Sequence, residues 1–126
     1  MQQNDESHSS STHLSGGSGT PDFYEPLRTH APWAYEAIVS TRHHTLRDVS
    51  EGGALSTLHK EYILIALDIA LRNEPGVRQH TRDAMAAGAT IDGIVETVVL
   101  VLLTAGVITY RTSGYAAIEE ASRWTS

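Results

Sequence analysis

Within "EYILIALDIALRNEPGVRQH", Glu61 to His80, the chain gathers most of the side chains it has for acid–base work: Glu61, Asp68, Arg72, Arg78 and His80. A carboxylate beside an imidazole in an apolar cleft makes a general acid–base unit, because histidine titrates near neutrality and the carboxylate fixes its tautomer. Arg72 or Arg78 could hold a substrate carboxylate through two parallel hydrogen bonds. Glu61 and Asp68 are seven apart, so on one helix they share a face, about 10 Å apart along the axis. Asp68 is the only charged residue between Glu61 and Arg72, and a carboxylate on so apolar a segment needs a partner. Arg72 or Arg82 could supply one in a structural salt bridge. A symmetrical hairpin centred near Glu74 would set His80 opposite Asp68 more nearly than Glu61. Spacing alone leaves both pairings open.

Other chemistries are excluded or unsupported. There is no cysteine, which removes disulfides, thiolate nucleophiles and thiolate metal ligands together. His43 and His44 are adjacent and point about a quarter turn apart, so they chelate one ion poorly, and His59 lies on a different face from Glu61. No His-x-x-x-His or Glu-x-x-His pattern shares a face, so a metal site is not expected. The serines and threonines show no nucleophile elbow, and neither Gly52-Gly53 nor Gly16-Gly17 forms a phosphate loop. A net charge of −6 without a basic patch argues against nucleic acid as a partner.

These residues need elements to position them. Ser56 or Thr57 can cap a helix running to about Leu71, whose interior "YILIALDIAL" is apolar nearly all round. Asn73 to Gly76 breaks it, and Pro75 suits the first turn of the next helix, which runs to about Ala87 with Gly88 as its stop. Thr90 caps a third, "IDGIVETVVLVLLTAG", which Gly106 either interrupts or opens to close packing. Gly114 precedes a last segment, "YAAIEEASRW". Upstream, Pro32 suits the first turn of a helix carrying Trp33, Ala37 and Ile38, and "SEGGALS" reads as a loop. With no competing strand signal, the expected fold is all-α, with about five or six helices.

Residues 1–20, rich in Ser and Gly, cannot bury enough apolar surface to offset their ordering entropy, so a disordered tail is expected before one helical domain over residues 21–126. The longest apolar run, Val98 to Ile108, is too short to span a bilayer, and the N-terminus has no secretory pattern. A cytoplasmic protein with no membrane partner is expected. Two nearly all-apolar helices exceed what so small a domain can bury by itself, which points to a homo-oligomer.

The run from Gly53 to about Ala121 resembles the carboxymuconolactone decarboxylase superfamily, which includes the AhpD-like alkylhydroperoxidase proteins. The resemblance is carried by "LSTLHKEYILIALDIAL", then a turn, then "HTRDAMAAGATIDGIVETV" and "TAG". It implies a compact all-α fold assembled as trimers or hexamers. It further implies that Glu61 and His80 are the acid–base pair, and that Asn73 and Gly76 occupy the two cysteine positions of the redox branch. Neither residue can be oxidised and reduced, so thiol peroxidase activity does not carry over. The cysteine-free decarboxylase branch acts without metal or organic cofactor on a carboxylated lactone. The resemblance thus implies a cofactor-independent lyase using His80 and Glu61, with Arg72, Arg78 and Asn73 near a small-molecule substrate. The alternative is an oligomeric module that kept the fold and binds a small molecule without turning it over. After the last core helix this chain reads "GVI" where the family often has Gly-x-Pro, a departure that bears on the substrate pocket.

Overall fold

A computed structural model of the chain describes residues 23–125. The expected tail at residues 1–20 lies outside them. The chain divides into two compact units, Met1–Arg47 and Asp48–Ser126, so the division falls inside the stretch expected to form one domain. Among the described residues every regular element is helical.

The first unit holds α1 (Glu25–His30) and α2 (Pro32–Thr45), the latter opened by Pro32 at its first turn. Tyr35 is buried within it, with the Arg28 guanidinium over its ring at 5.7 Å.

The second unit begins with a single 3₁₀ turn, Val49–Glu51. The Asp48 carboxylate accepts the Thr57 backbone N–H at 2.9 Å, tying the loop to the start of α3 (Thr57–Ala70). That bond, ahead of those from Ser50 and Val49, holds the Asp48 carboxyl below its usual range. Ser56 caps α3 by accepting the His59 N–H at 3.1 Å. Helices α4 (Glu74–Ala86) and α5 (Ile91–Ala105) are capped by the side chains of Asn73 and Thr90. Gly106, at φ +94, ends α5, and a Cβ placed there would meet nothing within 4 Å. The glycine therefore interrupts the helix rather than permitting close packing. The chain then re-enters a helical run of three pieces, α6 (Val107–Thr109), a π turn (Tyr110–Gly114) and α7 (Tyr115–Thr125).

The core of this unit comes from one face of each helix. On α3, Glu61, Ile65 and Ile69 are buried at a spacing of four, and on α4, Val77, Thr81, Ala84 and Met85 face them. Ile94, Val98 and Val101 come from α5, and Ala116, Ala117 and Ala121 from α7. Ile65, Ile69 and Ile94 are fully enclosed, and each contributes about 1.5–3 kcal/mol through burial. The three alanines let α7 approach closely. Within the π turn, the Ser113 hydroxyl donates to the Ile69 carbonyl at 3.0 Å, which pins this run to the end of α3. The opposite faces of α3 and α5 stay exposed and apolar: Ile63, Leu67 and Leu71 on one side, Val99, Leu100 and Leu103 on the other. No helix among the described residues is long and apolar enough to cross a membrane.

Candidate acid–base site

Helices α3 and α4 run antiparallel, and the turn between them decides which carboxylate meets His80. Arg72 sits at φ +59, the left-handed region, just past the end of α3. Its N–H donates to the Ile69 carbonyl at 3.0 Å, and the Asn73 N–H donates to the Asp68 carbonyl at 2.8 Å. This is the Schellman closure, usually built around glycine. It folds the chain back more tightly than a hairpin centred on Glu74 would. Glu61 consequently comes level with His80, while Asp68 lies toward Asn73 and Gly76.

His80 occupies the side of α4 next to Val77, Thr81 and Ala84. Its Nδ1 lies 2.8 Å from Glu61 Oε2, and both side chains are about nine-tenths buried. Its Nε2 lies 3.7 Å from Asp68 Oδ2. The imidazole is therefore flanked by a carboxylate at each nitrogen, and the two pairings left open by the spacing are both realised, the Glu61 contact being the closer. Asp68 is further held by the Asn73 amide, which donates to its Oδ1 at 3.3 Å. The salt bridge expected between Asp68 and Arg72 or Arg82 is not what forms. Arg82 instead meets Glu120, at 3.3 Å.

Asp83, one turn beyond His80, was not singled out by sequence pattern. Carboxylate or imidazole atoms of Glu61, His80 and Asp83 all lie within 4.8 Å of one another. Loss of water around it, and then the charge on Glu61, push the Asp83 carboxyl above its usual range. The available signal was a His-x-x-Asp spacing on α4. It gains meaning only when Glu61 of another helix is placed beside it.

Gly76, at one of the two cysteine positions, lies close against the Asp68 and Asn73 side chains. A Cβ there would lie 2.4 Å from Asp68 Oδ2 and 2.5 Å from Asn73 Nδ2. Any side chain at this position would have to displace the Asp68 carboxylate. Asn73, at the other cysteine position, caps α4 with its Oδ1 and holds Asp68 with its Nδ2.

The two arginines expected near a substrate have different surroundings. The Arg78 guanidinium donates to Glu74 at 2.8 Å, to Glu119 at 3.0 Å and to Glu120 at 3.2 Å. Its hydrogen bond to Glu74 is the main reason its proton is held more tightly than usual. Arg72 is exposed and makes no ion pair among the described residues. The structure thus brings Glu61, Asp68, Asn73 and His80 together and places Arg78 in a separate network. A shallow depression lined by Val95, Glu96, Val99 and Leu100 lies on α5 and includes none of these residues.

The fold and site define an all-helical protein built around a helical hairpin in which a histidine is held between carboxylates. The chain belongs to the carboxymuconolactone decarboxylase family, whose model matches residues 32–124. Among solved structures it is similar to a candidate carboxymuconolactone decarboxylase of Burkholderia xenovorans LB400. That similarity has 26% identity and a TM-score of 0.82 over 98% of this chain and 94% of the other. It also shares its fold with a carboxymuconolactone decarboxylase family protein of Legionella pneumophila in its apo form, at 18% identity and a TM-score of 0.69, over 97% of this chain and 99% of the other. No curated protein matches the chain.

Proposed function

We propose that the protein is a cofactor-independent acid–base enzyme, a lyase acting on a small carboxylated lactone-like substrate. The observation supporting this reading is the 2.8 Å contact between His80 Nδ1 and Glu61 Oε2, made across two helices by nearly buried side chains. In this reading His80 donates its Nδ1–H to Glu61, which fixes the tautomer and leaves Nε2 to carry the proton. As the bond to the departing carboxylate breaks, its electron pair moves into the conjugated lactone carbonyl. Protonated Nε2 then returns a proton to the resulting enolate as carbon dioxide leaves. Asp68, on the Nε2 side, would steady the imidazolium. Arg72, exposed and without an ion pair among the described residues, is the arginine we assign to a substrate carboxylate. Arg78 and Asn73 serve this reading indirectly, Arg78 by bracing α4 and Asn73 by holding Asp68.

The test is a decarboxylation or isomerisation assay on an unsaturated lactone acid. His80→Ala should lose about 100-fold or more, and Glu61→Gln should lose less, since it orients rather than transfers. A folded His80→Ala protein with full activity would overturn the reading.

We also propose a homo-oligomer, a trimer or hexamer. The exposed apolar stripes Ile63–Leu67–Leu71 and Val99–Leu100–Leu103 support it. A stable monomer in sedimentation at micromolar concentration would refute it. If the assembly forms but His80→Ala changes only its stoichiometry, the non-catalytic binding module becomes the better reading.

A further inference from the structure

Around His80 the acids outnumber the bases. Glu61, Asp68 and Asp83 converge on one imidazole, while the arginines of α4, Arg78 and Arg82, are turned to Glu74, Glu119 and Glu120. Glu61 is nine-tenths buried, and only one of its two oxygens has a hydrogen-bond partner among the described residues, the His80 ring. Asp83 gives one oxygen to the Gln79 amide at 3.1 Å and likewise leaves the other unbonded. Neither remaining oxygen is committed to a donor among the described residues, so a cation could be met there without breaking a hydrogen bond.

We propose that Glu61, His80 and Asp83 form a divalent-metal site that takes a first-row transition ion of the zinc type. One imidazole and two carboxylates are a mixed nitrogen–oxygen donor set suited to such an ion, with a position left open to solvent. The donors come from two helices, α3 and α4, with His80 and Asp83 one turn apart on the second. Donors around an ion at about 2.1 Å stand roughly 3–3.5 Å from one another. Their present spread of up to 4.8 Å therefore closes with a modest swing of the exposed Asp83 side chain. The remaining ring nitrogen already faces Asp68 at 3.7 Å. A carboxylate behind a metal-bound histidine is the usual arrangement for fixing its tautomer and raising its basicity.

This inference uses the same His80–Glu61 pair as the acid–base reading and adds a control on it. An ion bound at Nδ1 occupies the lone pair that the free enzyme gives to a proton, so metal occupancy and proton transfer at His80 compete. Binding itself requires no turnover, and the two ideas therefore fail separately.

The experiment is isothermal titration of the full-length chain with a zinc salt alone, in a non-chelating buffer near neutral pH. It would be repeated on Asp83→Ala and His80→Ala, with helicity checked by circular dichroism. The expected result is one ion per chain in the wild type. Binding should be at least 10-fold weaker in Asp83→Ala, whose substitution at an exposed position spares the core, and absent from this site in His80→Ala. No binding by the wild type would overturn the proposal. So would binding unchanged in both variants, because it would belong to the other histidines of the chain, His8, His13, His30, His43, His44 and His59. An intact catalytic assay alongside absent zinc binding would sink only this inference. Zinc binding alongside an inactive enzyme would sink only the acid–base reading.

Discussion

Two clusters of charge on α4 have opposite constructions. Toward α7, Glu74, Glu119 and Glu120 meet Arg78, Arg82 and Arg123, three acids against three guanidiniums. Toward α3, Glu61, Asp68 and Asp83 share a single imidazole. The first is matched and partly buried, with Glu120 only 8% exposed, and it joins two helices far apart in sequence. The second holds an excess of negative charge around one imidazole. A fold gains stability from the first arrangement, whereas the second makes sense only if something else supplies the positive charge: a proton on His80, a substrate group or an ion.

The contrast is sharpest in stability. Arg78→Ala should destabilise the protein by about 1–2 kcal/mol, because Glu120 keeps Arg82 and Arg123, Glu119 keeps Arg123 and Glu74 keeps the Tyr115 hydroxyl. His80→Ala should cost more, about 3 kcal/mol, because it takes the hydrogen-bond partner from the buried Glu61 and leaves three carboxylates with no base between them. Urea denaturation of both variants checks this. Equal losses would mean that both clusters hold their carboxylates alike, and that the distinction between the regions is false.

The helices were legible because their signals are local. Ser56 and Thr90 cap α3 and α5 as expected, Asn73, read only as part of a break, caps α4, and Gly106 stops α5. The partners of His80 were not, because they depend on a turn whose shape is set by one residue. Nothing about arginine marks Arg72 as left-handed. Glycine or asparagine would have signalled the tight closure, and with it the meeting of Glu61 and His80. The Arg78 network was hidden for a different reason. Its partners Glu119 and Glu120 lie some forty residues on, and their sequence looks like any solvated helix face. The π turn at Tyr110–Gly114 joins α6 to α7 where Gly114 suggested a fresh helix start.

Acid titration separates the clusters in a second way. Glu74 has its carboxyl held below its ordinary value of 4.5, first by the Arg78 hydrogen bond and next by that from Tyr115. A depressed folded-state value means that the unfolded chain takes up the proton first, so the contribution is present above pH 4.5 and lost as pH falls through the lower folded value. Glu74→Gln should therefore flatten the acid limb of the stability curve below about pH 4.5. The curve of Asp68→Asn should keep that part of the limb, because the Glu74–Arg78 contact is untouched. Thermal melts between pH 3 and 7 read both.

The smallest effect concerns Arg72, which belongs to neither cluster. An L-residue at φ +59 costs about 1 kcal/mol relative to glycine in the same closure, and the exposed Arg72 side chain makes no ion pair among the described residues to offset it. Arg72→Gly should relieve that strain, and after the greater unfolded-state freedom of glycine is subtracted, raise stability by at most about 0.5 kcal/mol. If the arginine is there to meet a substrate carboxylate, the same variant should raise KM while leaving the fold firmer. Arg72→Lys would retain both the charge and the strain, but lose the two-pronged contact. It should therefore show a smaller rise in KM and no gain in stability. A variant Arg72→Gly that is more stable and binds substrate as well as the wild type would remove arginine from the site altogether. The anionic surplus around His80 would then have only a proton or a metal ion to balance it.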